Sequence, residues 1–267
     1  MVVALLGGSA ECRNMAQSDF QSYDVLGIPI SVVNLETAEK ALVRWSGDTR
    51  GRYVGVREVP SIMIMHDDPK LKEISRNADM NLPDGMPIVW IGKRKGLPVE
   101  RTCGPDFMEH MLLSNSANGL KHYFFGGKEG VADKLKATFR ERNAGVQIVG
   151  TCCPPFRQLT EQEDQKMVQD ILDSKADVVW VGMSSPKQDV WMAEHVSKLQ
   201  GTLIGVGAAF DFHSGEVKRA PKWMQKTGLE SLHRLTRDPR RLWKRYLILA
   251  PLFVIILRVL RKPNLTS

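Results

Sequence analysis

Cysteine is scarce in this chain of 267 residues: Cys12, Cys103, Cys152 and Cys153, with no CxxC spacing. That argues against a disulfide framework or a thiolate zinc site and fits a reducing compartment such as the cytoplasm. The six histidines are dispersed and form no HExxH, and no apolar run ends in D-x-D, the pattern that holds a divalent ion against a diphosphate. No metal site and no resident cofactor are expected. Long hydrophobic runs are also missing. The opening MVVALLGGSA has no basic flank and too few apolar residues for a signal peptide, so residues 1–22 read as a flexible tail. The other apolar run, Tyr246–Leu257, is twelve residues interrupted by Pro251, short of the roughly 20 that cross a bilayer. Repeats and low-complexity linkers are absent.

Charge is present in plenty, but unevenly. The chain carries a formal net charge of +7, with 43% hydrophobic and 25% charged residues, a globular balance. Between Lys218 and Lys262 there are thirteen Lys and Arg against Glu230 and Asp238. The rest of the chain is therefore mildly acidic. A basic end of this kind points to an anionic partner: nucleic acid, a phosphate-bearing substrate or anionic lipid. Here the basic residues frame the 246–257 run, with Trp243 and Tyr246 at its edge, which describes a segment lying in a membrane interface. Each basic residue near an anionic surface contributes about 1 kcal/mol. Trp243, Tyr246, Leu249, Leu252 and Phe253 are the expected lipid contacts. A helix packed on the body or on a second copy is the alternative. The aliphatic run and the lack of interleaved aromatics argue against nucleic acid.

From residue 25 on, short β-rich apolar runs alternate with helical patterns. VLGIPISVV (25–33) reads as a strand pair before a helix opened near Asn34, and 52–56 as a strand. Asp68-Pro69 opens a helix, 80–82 is extended, and 85–95 and 105–116 are helical. Strands at 122–125, 146–150, 177–182 and 202–207 then alternate with helices at 130–142, 160–175 and 186–198. Thr160 and Glu163 form a capping box. This alternation predicts right-handed βαβ units: a Rossmann-like α/β fold with a mostly parallel sheet and helices on both faces. The expected division is a tail at 1–22, an α/β domain at 23–215 and a basic helical appendage at 216–267. Ligands of such sheets bind beyond the carboxyl ends of the strands, so the turns after Phe125, Val181 and Val206 are where chemistry is expected.

Four stretches carry residues of interest. Gly205-Val-Gly207 lacks the third glycine and the later acidic residue of a dinucleotide fingerprint, so an NAD(P) oxidoreductase is a weak reading. It suits backbone approach to a phosphate, or simply a tight turn. Ser184, Ser185, Pro186, Lys187 and Gln188 surround a helix N-terminus, a place for an anion or a uracil-like edge. Asn81-Leu-Pro83-Asp84-Gly85 sets a carboxylate in a turn before a helix, which is turn chemistry or a general base. Arg101, Gly104 and Asp106 surround another helix start, where Cys103 reads as a core or loop thiol.

Together these stretches resemble the WecG/TagA/CpsF bacterial glycosyltransferases. The matching segments are LPDGMPIVW (82–90), ERTCGPDFM (100–108), YFFGG (123–127), VGMSSPKQDVW (181–191), GVGAAFDFHSGEVKRAPKWMQKTGLE (205–230) and RLTRDPRRLWKRY (234–246). The resemblance implies inverting, metal-independent transfer of a sugar from a UDP-sugar to a polyprenyl-diphosphate-linked glycan. The implied place is the cytoplasmic face of the bacterial inner membrane. It makes Asp84 the base and Arg234, Arg237 and Arg241 the diphosphate clamp. The implied donor site comprises Arg101, Gly104, Asp106, Gly126, Gly127, Ser184, Ser185, Pro186, Lys187, Gln188, Gly205, Gly207 and Asp211. A homo-oligomer is possible. The chain departs from the family pattern at Val56-Arg57-Glu58 (Thr-x-Asn), at Asp189 (Glu), and at Ser231 and His233 (aromatics).

Overall fold

The alternation of strand and helix patterns appears as alternating layers in a computed structural model. It describes residues 19–114, 117, 119–157, 159–227, 230–237 and 239–260. The side chains at 222, 226, 227, 231, 232, 234, 241, 242, 245, 246 and 258–260 lie outside that description. An antiparallel hairpin, β1 (Ser22–Val25) and β2 (Ile28–Ser31), leads into α1 (Leu35–Trp45). Asn34 caps α1, its side chain accepting from the Thr37 N–H at 2.8 Å while Thr37 Oγ1 accepts from the Asn34 N–H. The expected tail is held before residue 22: Asp19 accepts from Trp45 Nε1 and from Arg44.

Among the described residues, six parallel strands form the main sheet in the order β4-β3-β8-β7-β5-β6. They are β3 (Arg52–Arg57), β4 (Met80–Pro83), β5 (Lys121–Gly126), β6 (Gln147–Cys152), β7 (Val178–Gly182) and β8 (Thr202–Gly205). The chain steps from β3 outward to β4, crosses to β5 and β6 at the other edge, then fills the gap with β7 and β8. Side-chain alternation splits the core. Tyr53, Tyr123, Phe125, Val179, Val181 and Leu203 face one cluster. Val54, Phe124, Val178, Trp180 and Ile204 face the other. The first face is covered by α2 (Val59–Asp67), α3 (Pro69–Arg76), α4 (Met86–Arg94), α7 (Glu161–Ser174) and α8 (Lys187–His195). The second is covered by α1, α5 (Gly104–Leu113), α6 (Val131–Arg142) and α9 (Ala209–His213). This is the expected Rossmann-like architecture.

Helix α2 was not expected. Its VPSIMIMHD has no polar face, so it carries no helical period, and the reason is its position. It packs on β2 and α3 on one side and on the C-terminal helices on the other. The C-terminal helices are α10 (Lys222–Thr227), α11 (Glu230–Arg237), α12 (Pro239–Trp243), a π-helical stretch at Lys244–Leu249, and α13 (Ala250–Leu260), of which the π-helical stretch and α13 meet α2. They correct part of the lipid-contact expectation. Phe253 is only 2% exposed and belongs to the main core, with Leu249 packed beside it. Packing against α2 buries Phe253 and covers part of Leu249, so Phe253 is not an outward-facing lipid contact and Leu249 is only partly exposed. Trp243 and Leu252 stay exposed, and the Tyr246 side chain lies outside the described residues.

Candidate functional site

The carboxyl ends of the parallel strands converge on one rim of the sheet, and each presents a short turn to it. Asp84 follows β4. Its N–H donates to the Arg57 carbonyl at 3.0 Å, which prolongs the β3–β4 ladder by one residue, and Gly85 then caps α4. The side chain is about a quarter exposed, so it is ordered by the fold yet open to a ligand. Arg101 holds it from the side: Nε donates to the Asp84 carbonyl at 2.8 Å, and Nη2 lies 3.7 Å from Oδ1.

Arg101 also reaches Asp106 in the first turn of α5, at 3.6 Å, and Glu230 at the start of α11, at 2.8 Å. Arg219 completes the group, donating to Asp106 and pairing with Glu230 Oε1 at 3.2 Å. Three carboxylates and two guanidiniums thus share one half-buried patch. Burial opposes the charge on Asp106, but hydrogen bonds from Arg219 and Cys103 outweigh it and hold the carboxyl below its usual range. Burial likewise opposes the charge on Arg219, and Asp106 and Glu230 more than offset it, raising the guanidinium above its usual value. Cys103 is buried, which pushes its thiol well up, with the Asp84 and Asp106 charges adding to the effect. It is a neutral donor to Asp106 Oδ2 at 2.8 Å, which makes it a structural thiol.

Across the rim the turns after β5, β7 and β8 form a different surface. Ser184 and Lys187 are exposed at the mouth, and the Ser185–Pro186 peptide is cis. The glycines here close on protein. The Gly127 N–H donates to the Gly182 carbonyl and the Gly207 N–H to Gln188 Oε1, each at 3.0 Å. Gln188 is therefore buried and ties two turns together, and the Gly127 and Gly207 N–H groups are already used within the chain. A Cβ on Gly182 would lie 2.5 Å from the Phe210 ring, and Gly207 has φ +54°, a conformation that favours glycine. Gly104 packs its α-carbon on the end of β8, where a Cβ would meet the Val206 carbonyl at 3.2 Å, and Gly205 packs against Met192 and Gln188. Asp211 sits half-buried in α9, its backbone carbonyl accepting from the Val217 N–H.

One buried residue joins the two sides. Arg57 ends β3 fully buried. Its Nε donates to Asn81 Oδ1 and its Nη1 to Asp189 Oδ1, both at 2.6 Å. Asp189 in turn accepts from Ser185 Oγ at 2.8 Å. The same residue's carbonyl holds Asp84. Gly55 makes room for it, since a Cβ there would lie 2.0 Å from Nη2. Nη2 is buried with no hydrogen-bond partner among the described residues.

A family model described as "Glycosyl transferase WecG/TagA/CpsF family" matches residues 23–266. The chain belongs to that family. This WecG/TagA/CpsF member is a glycosyltransferase, acting between a sugar donor and a glycan acceptor. Its structure brings Asp84, Arg101 and Asp106 together on one side and Gly126, Gly127, Ser184–Gln188, Gly205 and Gly207 on the other. Of the expected clamp, Arg237 is exposed on α11, while the side chains of Arg234 and Arg241 lie outside the described residues. Sequence reasoning did not single out Arg57, Arg219 or Glu230 as site residues. Arg57 had a signal: a charged residue at the inner end of an apolar strand requires a buried partner. Arg219 and Glu230 were counted only as charges in the basic end.

Proposed function

We propose that the protein transfers a sugar from a UDP-sugar to a polyprenyl-diphosphate-linked glycan, with inversion and without a metal. The setting is exopolysaccharide or other cell-surface polysaccharide assembly, at the cytoplasmic face of the bacterial inner membrane. The observation that carries this reading is Asp84: an accessible carboxylate at the end of a central-sheet strand, oriented by Arg101, in a chain of this glycosyltransferase family. In the reaction an acceptor hydroxyl attacks the anomeric carbon and gives its proton to Asp84. The bond from that carbon to the β-phosphate oxygen breaks, and UDP leaves with the negative charge. Arginines stabilise that charge electrostatically: Arg234, Arg237 and Arg241 as the clamp, with Arg219 added because it already reaches the Asp106 carboxylate beside the base.

The donor's nucleotide is assigned to the opposite side. Ser184, Ser185, Pro186 and Lys187 meet it at the mouth, and Gln188 acts by holding the Gly207 turn. The exposed apolar residues of the C-terminal helices rest on the anionic membrane surface. Among the described residues no helix is long and apolar enough to cross a bilayer. The test is a screen of UDP-sugars for UDP release against a short-chain prenyl-diphosphate-sugar acceptor. Acceptor-dependent release from one donor is expected. Absence of release from every donor, with no UDP-sugar and no UDP binding to the protein, contradicts the proposal.

A further inference from the structure

Helix α4 begins one residue after the Asp84-Gly85 turn and ends in Lys93 and Arg94. Its outer face does not look like a solvent face. Trp90 is 51% exposed there, and between α4 and α13 runs an open groove of about 600 Å³. Trp90 and Ile91 form one wall and Phe253, Val254 and Leu257 the other, with Lys93 and Arg94 also lining it. Neither cation makes a salt bridge among the described residues. Beyond the groove Leu252 and Ile255 of α13 are exposed, and so are Leu247 and Ile248 of the preceding turns. A continuous apolar surface of this kind marks an interaction site.

Charge selects the occupant. Neither α4 nor residues 239–262 contain an Asp or Glu, while Lys93, Arg94, Arg240 and Lys244 are exposed there. A second copy docking through the same face would bring cations to cations with no carboxylate between them. An anionic phospholipid satisfies both halves of the surface: chain methylenes against Trp90 and the α13 wall, phosphate against Lys93 and Arg94. The volume is that of an ordinary small-ligand pocket.

We propose that α4 is a direct contact between the catalytic body and the bilayer, and that the α4–α13 groove seats the chain of an anionic phospholipid. This rests on the reading that the enzyme works at a membrane surface, and adds to it that the C-terminal helices do not dock alone. The consequence is geometric. Asp84 lies just before a nine-residue helix, about 13 Å long, that lines the groove from Pro87 to Arg94, so docking sets the height of Asp84 above the membrane.

The test uses the full chain and vesicles of phosphatidylcholine alone or mixed with phosphatidylglycerol. Wild type is expected to float with the anionic vesicles, and Lys93→Glu with Arg94→Glu to lower that partition tenfold or more. Brominated acyl chains are expected to quench part of the tryptophan emission, and Trp90→Phe to remove that part. All three positions are exposed, so thermal melts and UDP binding should match wild type. Undiminished flotation of the double variant with no quenching of Trp90 overturns the α4 contact but leaves the membrane reading standing. Failure of wild type to bind any vesicle overturns both. A lipid-free dimer that Trp90→Glu dissociates assigns the face to self-association and overturns the proposal as well.

Discussion

The two sides of the rim are built by opposite means. On the Asp84 side, side chains carry the architecture: Arg101 and Arg219 bridge Asp84, Asp106 and Glu230, drawn from β4, α5 and the C-terminal helices. On the glycine side, backbone and shape carry it, with N–H groups closed on neighbouring turns and glycines packed on Phe210, Met192 and Gln188. The first arrangement concentrates charge on the side to which we assign the proton and the diphosphate. The second makes a rigid edge that a flat ring can lie against. Arg57 is the link, because its carbonyl fixes one side and its guanidinium, through Asp189 and Ser185, fixes the other.

That comparison breaks first at Arg57. Arg57→Leu leaves Asp189 buried without its partner, and the expected loss of stability is about 3–5 kcal/mol, read as a shift of the denaturant midpoint. Replacing both residues by Leu should recover part of it. If the single variant is as stable as wild type, the link is not what holds the two sides together.

Acid separates the sides next. His122 on β5 is buried, and burial lowers its pKa to about 3; Trp180 Nε1 donates to its Nδ1 at 3.2 Å. The folded state keeps it neutral while the unfolded state takes up a proton below about pH 6.5. Stability therefore falls as pH drops through that value, by up to about 1.4 kcal/mol per unit, until the folded group also protonates. His213, lowered mainly by burial, adds to the slope. Asp106 behaves differently. Its folded carboxyl is depressed, so its contribution is present above about pH 3.9 and lost only as pH falls through the folded value. Chemical denaturation between pH 6.5 and 4.5 should show the histidine slope, and His122→Phe should flatten it. A slope unchanged in that variant would remove His122 as its source and leave His213, because Asp106 loses its contribution only below this window.

The smallest effects concern the glycine side. Gly182→Ala forces the Phe210 ring to move and is expected to cost about 2 kcal/mol. Gly207→Ala makes only ordinary contacts, with the Met183 carbonyl at 3.6 Å and Gln188 Oε1 at 3.8 Å, but has the wrong φ, for about 1 kcal/mol. Equal midpoints for the two variants would deny that packing on Phe210 shapes this edge.

Much of the fold is readable from local chemistry. Asn34 with Thr37 and Thr160 with Glu163 mark helix starts that the structure shows as capping boxes, and the apolar runs of β5, β7 and β8 fall within a residue or two of where they were expected. What escaped depends on neighbours distant in sequence. The apolar sequence of α2 becomes intelligible only once the C-terminal helices cover its second side, and the same packing removes Phe253 from the surface. In the site, Asp84 and the turns were legible because strand ends locate them. Arg219 and Glu230 were not, since pairings over 113 and 129 residues leave no local pattern.

The central claim is that the Asp84 carboxylate takes the acceptor's proton while the rest of the rim binds donor. Asp84→Asn keeps the shape and removes the base. Turnover, measured as acceptor-dependent UDP release, should fall at least about 100-fold with UDP affinity unchanged by calorimetry. Turnover equal to wild type in that variant would contradict the account.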